Sequence, residues 1–140
     1  MGAAMQGGIG GHAGLFSNAN DVAKIMQMFL QKGYYGGKRF FNESTFDLFN
    51  TCYFCDSGNR RGLGFDKPEM DDSMSTCGCV PKSSFGHSGF TGSYTWADPK
   101  NKIVYVFLSN RTYPTMENNL LSEHNIRTEI QKIIYKSLKN

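Results

Sequence analysis

An α+β domain, an antiparallel β-sheet with flanking helices, is predicted by three features of this 140-residue chain. Two strongly apolar segments, 93–97 and 102–109, have the look of strands and are joined by a turn. Apolar residues recur at helical spacing before them and again after them. The order helix, helix, strand, long loop, strands, helix does not alternate strand with helix, which selects an antiparallel sheet with helices packed on it.

Each element has its own local reason. Residues 2–14 are rich in glycine and alanine and read as loop. Ser17 is placed to cap a helix with Asp21 in its first turn. Val22, Ile25, Met26, Phe29 and Leu30 recur at helical spacing, and Gly33 is the stop at the C′ position. Residues 34–39, with Gly36-Gly37, form a turn. Asn42 caps a second helix, 43–50, whose apolar side carries Phe46 and Phe49. Residues 62–66 are a short strand. Residues 67–84, with Pro68, Asp71-Asp72, Gly78 and Pro81, form an irregular loop. Asp98-Pro99-Lys100-Asn101 suits a type I turn between the two clear strands. Val104, Val106 and Leu108 alternate with Tyr105 and Phe107, so both sheet faces are covered. The last helix spans 123–138 with Ile126, Ile130, Ile133 and Ile134 as its buried stripe.

Composition narrows the classes of function. The length suits a single domain over 1–140, and 39% hydrophobic with 14% aromatic residues can supply a core. A net charge of +3 with no basic run does not predict a nucleic-acid partner. The longest apolar stretch, 103–108, is far too short for a membrane span. Residues 1–16 have neither the basic start nor the continuous apolar core of a secretory leader. Four cysteines fall as Cys52-x-x-Cys55 and Cys77-x-Cys79. That spacing accommodates a four-thiolate zinc site, one or two disulfides, or free thiols on loops. No other cofactor is indicated.

Two glycine-rich segments bear on chemistry. The run from Gly7 to Gly14 has no preceding strand or βαβ unit, so it reads as a loop entering a helix and not as a dinucleotide-binding turn. The segment Phe85-Gly86-His87-Ser88-Gly89-Phe90-Thr91-Gly92-Ser93 surrounds a histidine and two hydroxyls with glycines, which let backbone pass close to a ligand or a neighbouring strand. It is not a nucleophile elbow. Phe90 stands where that motif needs its last glycine, and strands follow where it needs a helix. Ser88 is therefore not read as a nucleophile.

Several segments together resemble one family. Gly14-Leu15-Phe16-Ser17 with Asn20-Asp21-Val22-Ala23-Lys24 resembles the helix entry of serine β-lactamase-like proteins. Gly62-Leu63-Gly64-Phe65 resembles the short strand that follows there. Residues 85–92 resemble the third active-site motif, in the branch where histidine replaces the lysine of Lys-Thr-Gly. Trp96-Ala97-Asp98-Pro99, Val106-Phe107-Leu108-Ser109-Asn110-Arg111 and the closing helix continue the match in family order. The nearest likeness is to class C β-lactamase-like and penicillin-binding-protein-like serine hydrolases. The wording of 37–40 and 61–68 resembles the subset attached behind a β-N-acetylhexosaminidase-like glycosidase in cell-wall-related bacterial proteins.

That resemblance implies a partial β-lactamase/transpeptidase-like fold and acyl transfer through a serine in Ser-x-x-Lys, with a tyrosine from Tyr-x-Asn. Neither motif occurs in these 140 residues. Both lie upstream of the matched region in the family, so the chain resembles the C-terminal half and would be inactive alone. The implied partners are the upstream half of the same module and a peptidoglycan-type or small acyl substrate, in the bacterial periplasm or cell envelope. Self-association through an unfinished core is also expected. His87 takes the lysine position, to supply positive charge or to hydrogen-bond the tyrosine or a substrate carboxylate. Ser88 takes the hydroxyl position, Gly89 leaves room for substrate, and the Phe90 N–H is one of two oxyanion donors.

Overall fold

The structure is a computed structural model and describes residues 2–68 and 75–138. Helix α1 (Gly2–Met5) and helix α2 (Ala19–Leu30) lead into a hairpin of β1 (Tyr34–Tyr35) and β2 (Lys38–Arg39). Helix α3 (Glu43–Asn50) follows, then β3 (Phe85–Ser88), β4 (Tyr94–Asp98) and β5 (Ile103–Phe107), and finally α4 (Leu120–Glu123) and α5 (Ile126–Ser137). The larger sheet runs β3-β4-β5, antiparallel throughout, with β4 in the centre. The α+β class and the antiparallel sheet agree with the sequence.

Helix α2 is capped by Asn18, not by Ser17. The Asn18 side chain accepts from the Asp21 amide at 3.0 Å and donates to the Asp21 carboxylate at 2.7 Å. Asn18 stands three residues before Asp21, the reach a capping box requires, while Ser17 stands one residue too early. At the other end Lys32 takes the left-handed C′ position with φ 49°, and the Gly33 amide returns to the Met28 carbonyl at 2.9 Å. Gly33 is thus the second residue of that stop, not the first.

Alternation along the strands sends two sets of side chains to two faces. Phe85, Ala97 and Val104 face α2 and α3 and pack with Met26 and Phe46. Phe85 is fully buried, with the Phe46 and Phe65 rings 5.2 and 5.0 Å from its own. Truncating it to alanine would cost about 3–5 kcal/mol. Tyr94, Trp96 and Tyr105 occupy the opposite face, under α5.

That second face corrects the expected stripe of the last helix. The buried residues of α5 are Thr128, Gln131 and Tyr135; Ile126, Ile130 and Ile133 are exposed, and Ile134 is half-buried. The sheet presents tyrosine hydroxyls there, and buried hydroxyls need partners. Gln131 Oε1 accepts from the Tyr94 hydroxyl at 3.3 Å, and the Arg127 carbonyl accepts from the Tyr105 hydroxyl at 3.1 Å. The Tyr135 hydroxyl donates to Asp98, which is wholly buried and also accepts from the Lys100 and Asn101 amides. The helix is broken at Asn125, whose φ is 53°.

The expected strand at 62–66 is reduced to single bridges, Arg61 to Asp66 and Asp66 to Gly86. Within the expected loop 67–84, residues 75–84 carry only turns and bends, and residues 69–74 lie outside the described residues.

Candidate active site

Strand β3 is an edge strand, and its position depends on Gly86. A Cβ there would collide with the Trp96 ring and the Thr95 carbonyl, so only glycine lets β3 lie this close to β4. Asp66 covers the outer side of β3 at that one residue, through bonds of 2.8 and 3.1 Å with Gly86. Beyond it His87 and Ser88 are exposed and point to opposite faces.

The chain then reverses through Gly89-Phe90-Thr91-Gly92. The Gly92 amide donates to the Gly89 carbonyl at 2.9 Å and the Gly89 amide to the Ser93 carbonyl at 2.7 Å. Gly92 has φ +90°, and a Cβ on it would press on Ser109 Oγ and Leu121. Both requirements select glycine. Arg111 holds the turn from outside. Its Nε donates to the Phe90 carbonyl at 3.0 Å, its own amide donates to the Thr91 carbonyl at 3.0 Å, and its guanidinium lies 5.0 Å from the Phe90 ring centre. Among the described residues the Phe90 amide makes no hydrogen bond, and Phe90 is 70% exposed. His87, Ser88, Gly89 and Phe90, the residues expected to form the third motif, share one open rim, the first two on the strand and the last two in the turn.

His87 does not act on the Ser88 hydroxyl. Its Nδ1 lies 2.8 Å from the Ser88 carbonyl oxygen, and its Nε2 lies 3.5 Å from Arg61 Nη1. Among the described residues no basic side chain is hydrogen-bonded to the Ser88 hydroxyl. Arg61 itself is anchored by Nε, 2.9 Å from Asp66 Oδ1, with Arg60 3.4 Å from the other oxygen. The Asp66 side chain is only 4% exposed. The sequence places neither Asp66 nor Arg61 at the site; residues 62–66 read only as a short strand. The local signal was Gly62, where a Cβ would collide with the Phe49 carbonyl, in the turn that bridges Arg61 back to Asp66. Nearby, burial pushes the Lys67 ammonium down to about 8.

The cysteines require a correction. Cys52 is bonded to Cys55 and Cys77 to Cys79, so the thiolates that a four-cysteine zinc site needs are consumed within each close pair. Among the described residues no group of three or more histidine, cysteine or acidic side chains is placed to hold a metal. The disulfide alternative is the one formed.

The sequence that forms this edge strand and its glycine-lined turn is similar to known proteins. The profile of the beta-lactamase family matches residues 1–127. The chain belongs to the beta-lactamase family. Relatives named "Putative D-alanyl-D-alanine carboxypeptidase" include one from Escherichia coli strain K12, 39% identical over 108 residues, or 76% of this chain and 24% of the relative. Another, from Salmonella agona, is 35% identical over 113 residues, or 80% of this chain and 26% of the relative. The chain thus spans about a quarter of the length of the curated relatives it matches. Membership supports the serine hydrolase type of module, which needs no cofactor.

Proposed function

We propose that this chain supplies one wall of the acyl-transfer site of a serine hydrolase acting on a D-alanyl-D-alanine-type peptide, and that it is inactive alone. The observation that carries this reading is the free rim of β3, where His87, Ser88 and the unengaged Phe90 amide stand together in a member of the beta-lactamase family. An amide aimed at the developing oxyanion is worth about 3–4 kcal/mol in reactions of this class. The nucleophile and its lysine would come from an upstream half of the same module, since Ser-x-x-Lys and Tyr-x-Asn do not occur in these residues. That half would also cover the apolar side chains left exposed on α5. The names of the relatives support the peptide class as substrate.

The test is turnover of nitrocefin, p-nitrophenyl acetate and a D-alanyl-D-alanine-terminated peptide. The expected result is none by this chain and measurable hydrolysis by a longer protein carrying both missing motifs. Hydrolysis by this chain, abolished in Ser88→Ala, would overturn the reading. A second reading, a non-catalytic binding module behind a cell-wall glycosidase, is favoured by the missing nucleophile. An intact Ser-x-x-Lys and Tyr-x-Asn in the upstream gene would remove it.

A further inference from the structure

We propose that the fixed cation of this rim is Arg61, with His87 beside it as a neutral imidazole that Arg61 aims. His87 has two ring contacts, and each partner can play only one role. A carbonyl oxygen only accepts and a guanidinium only donates. His87 Nδ1 faces the Ser88 carbonyl at 2.8 Å, so Nδ1 carries the proton. His87 Nε2 faces Arg61 Nη1 at 3.5 Å, so Nε2 offers its lone pair. One species satisfies both contacts, the neutral Nδ1–H tautomer. An imidazolium would set an N–H against the guanidinium.

The arm that brings Arg61 to this place is registered to β3 itself. Asp66 pairs with Gly86 through two backbone bonds, and Arg61 is bridged back to Asp66 across a four-residue turn. The buried Asp66 carboxylate holds Arg61 Nε at 2.9 Å. The Arg61 side chain is nonetheless 54% exposed, and among the described residues its Nη2 has no partner. A guanidinium keeps its charge at every pH the protein meets and presents paired donors to a carboxylate. Arg61 is thus a specificity residue for substrates bearing a free carboxylate, and a positioning residue for His87. The substrate half of this inference rests on the hydrolase reading above; the tautomer half does not.

Two measurements separate those halves. In ¹⁵N-detected imidazole spectra of this chain, with the signals assigned against His87→Gln, His87 is expected as the neutral Nδ1–H form. Arg61→Ala is expected to move it toward the Nε2–H form, and Arg61→Lys to retain most of the original pattern. A wild-type Nε2–H signature, or no response to Arg61→Ala, would overturn the positioning role. In the longer protein, kcat/KM for a peptide ending in a free carboxylate should fall in Arg61→Ala at least ~10-fold further than for the C-terminal amide of the same peptide, mainly through KM. Arg61→Lys should recover part of that loss. Equal losses on the two substrates would overturn the specificity role. A longer protein with no turnover at all would remove the hydrolase reading and the substrate half together, leaving the spectra to decide the other.

Discussion

Lys67 is held in an environment that disfavours its charge. Its Nζ reaches the Asn50 side chain at 3.2 Å and the Ser83 carbonyl at 3.4 Å, and it lies 5.7 Å from the Phe85 ring centre. Burial lowers it from 10.5 to about 8. The native state therefore binds fewer protons than the unfolded chain between about pH 8 and 10.5, and stability rises with pH across that window. Below pH 8 both states are protonated and the whole cost of burying the ammonium is felt. Lys67→Met should consequently raise Tm at pH 7, and its advantage should shrink steadily toward pH 10.5. Thermal denaturation of both proteins at pH 7, 9 and 10.5 checks this, and a constant difference would contradict it. The composition of the sequence held no hint of Lys67, because its environment is assembled from α3, the loop before β3 and β3 itself.

At the scale of elements, legibility followed how local the cause was. Helix α3 has the predicted bounds, with Asn42 at the N-cap position in extended conformation and Phe46 buried, although the Asn42 side chain makes no capping hydrogen bond among the described residues. The β4–β5 hairpin was legible from the Asp98 turn and two apolar runs. The buried stripe of α5 was not, since periodicity records which residues are apolar and not which hydroxyls on a distant sheet need acceptors. Helix α5 was thus read by its isoleucines and is seated by Gln131 and Tyr135. The Arg61–His87 contact was hidden for the same reason, being made across 26 positions. The two sides of α5 should respond differently to substitution. Gln131→Leu strands the Cys77 amide, which donates to Gln131 at 2.9 Å, while the Tyr94 hydroxyl keeps the Ser75 carbonyl at 3.1 Å, and should cost about 1–3 kcal/mol in urea denaturation. Ile133→Ser, at a side chain 65% exposed, should change the stability of this chain by less than about 0.5 kcal/mol.

As a whole, the molecule has a sheet with a free outer edge at β5 among the described residues, exposed isoleucines on α5, and a cavity of about 410 Å³ between α2 and α3 lined by Phe29, Phe41, Phe46, Phe49 and Phe65. Apolar surface and an unpaired strand edge of this kind favour association. Sedimentation velocity at rising concentration should therefore show dimers or larger species, and a single sharp monomer boundary at high concentration would contradict this. The disulfides do not staple the fold against such exchange. They close loops of only three and two residue steps, for which the chain-entropy gain is about 2 kcal/mol or less each. The turn that carries the Phe90 amide has a different dependence. Gly92 is backed by Leu121 of α4, and Arg111 ties Phe90 to the carbonyls of Met116 and Asn118 in the segment leading to that helix. The aim of the Phe90 amide is thus adjustable from behind. A change in the size of residue 121 would tilt the rim from behind, giving evolution and protein engineering a remote handle on where this amide points.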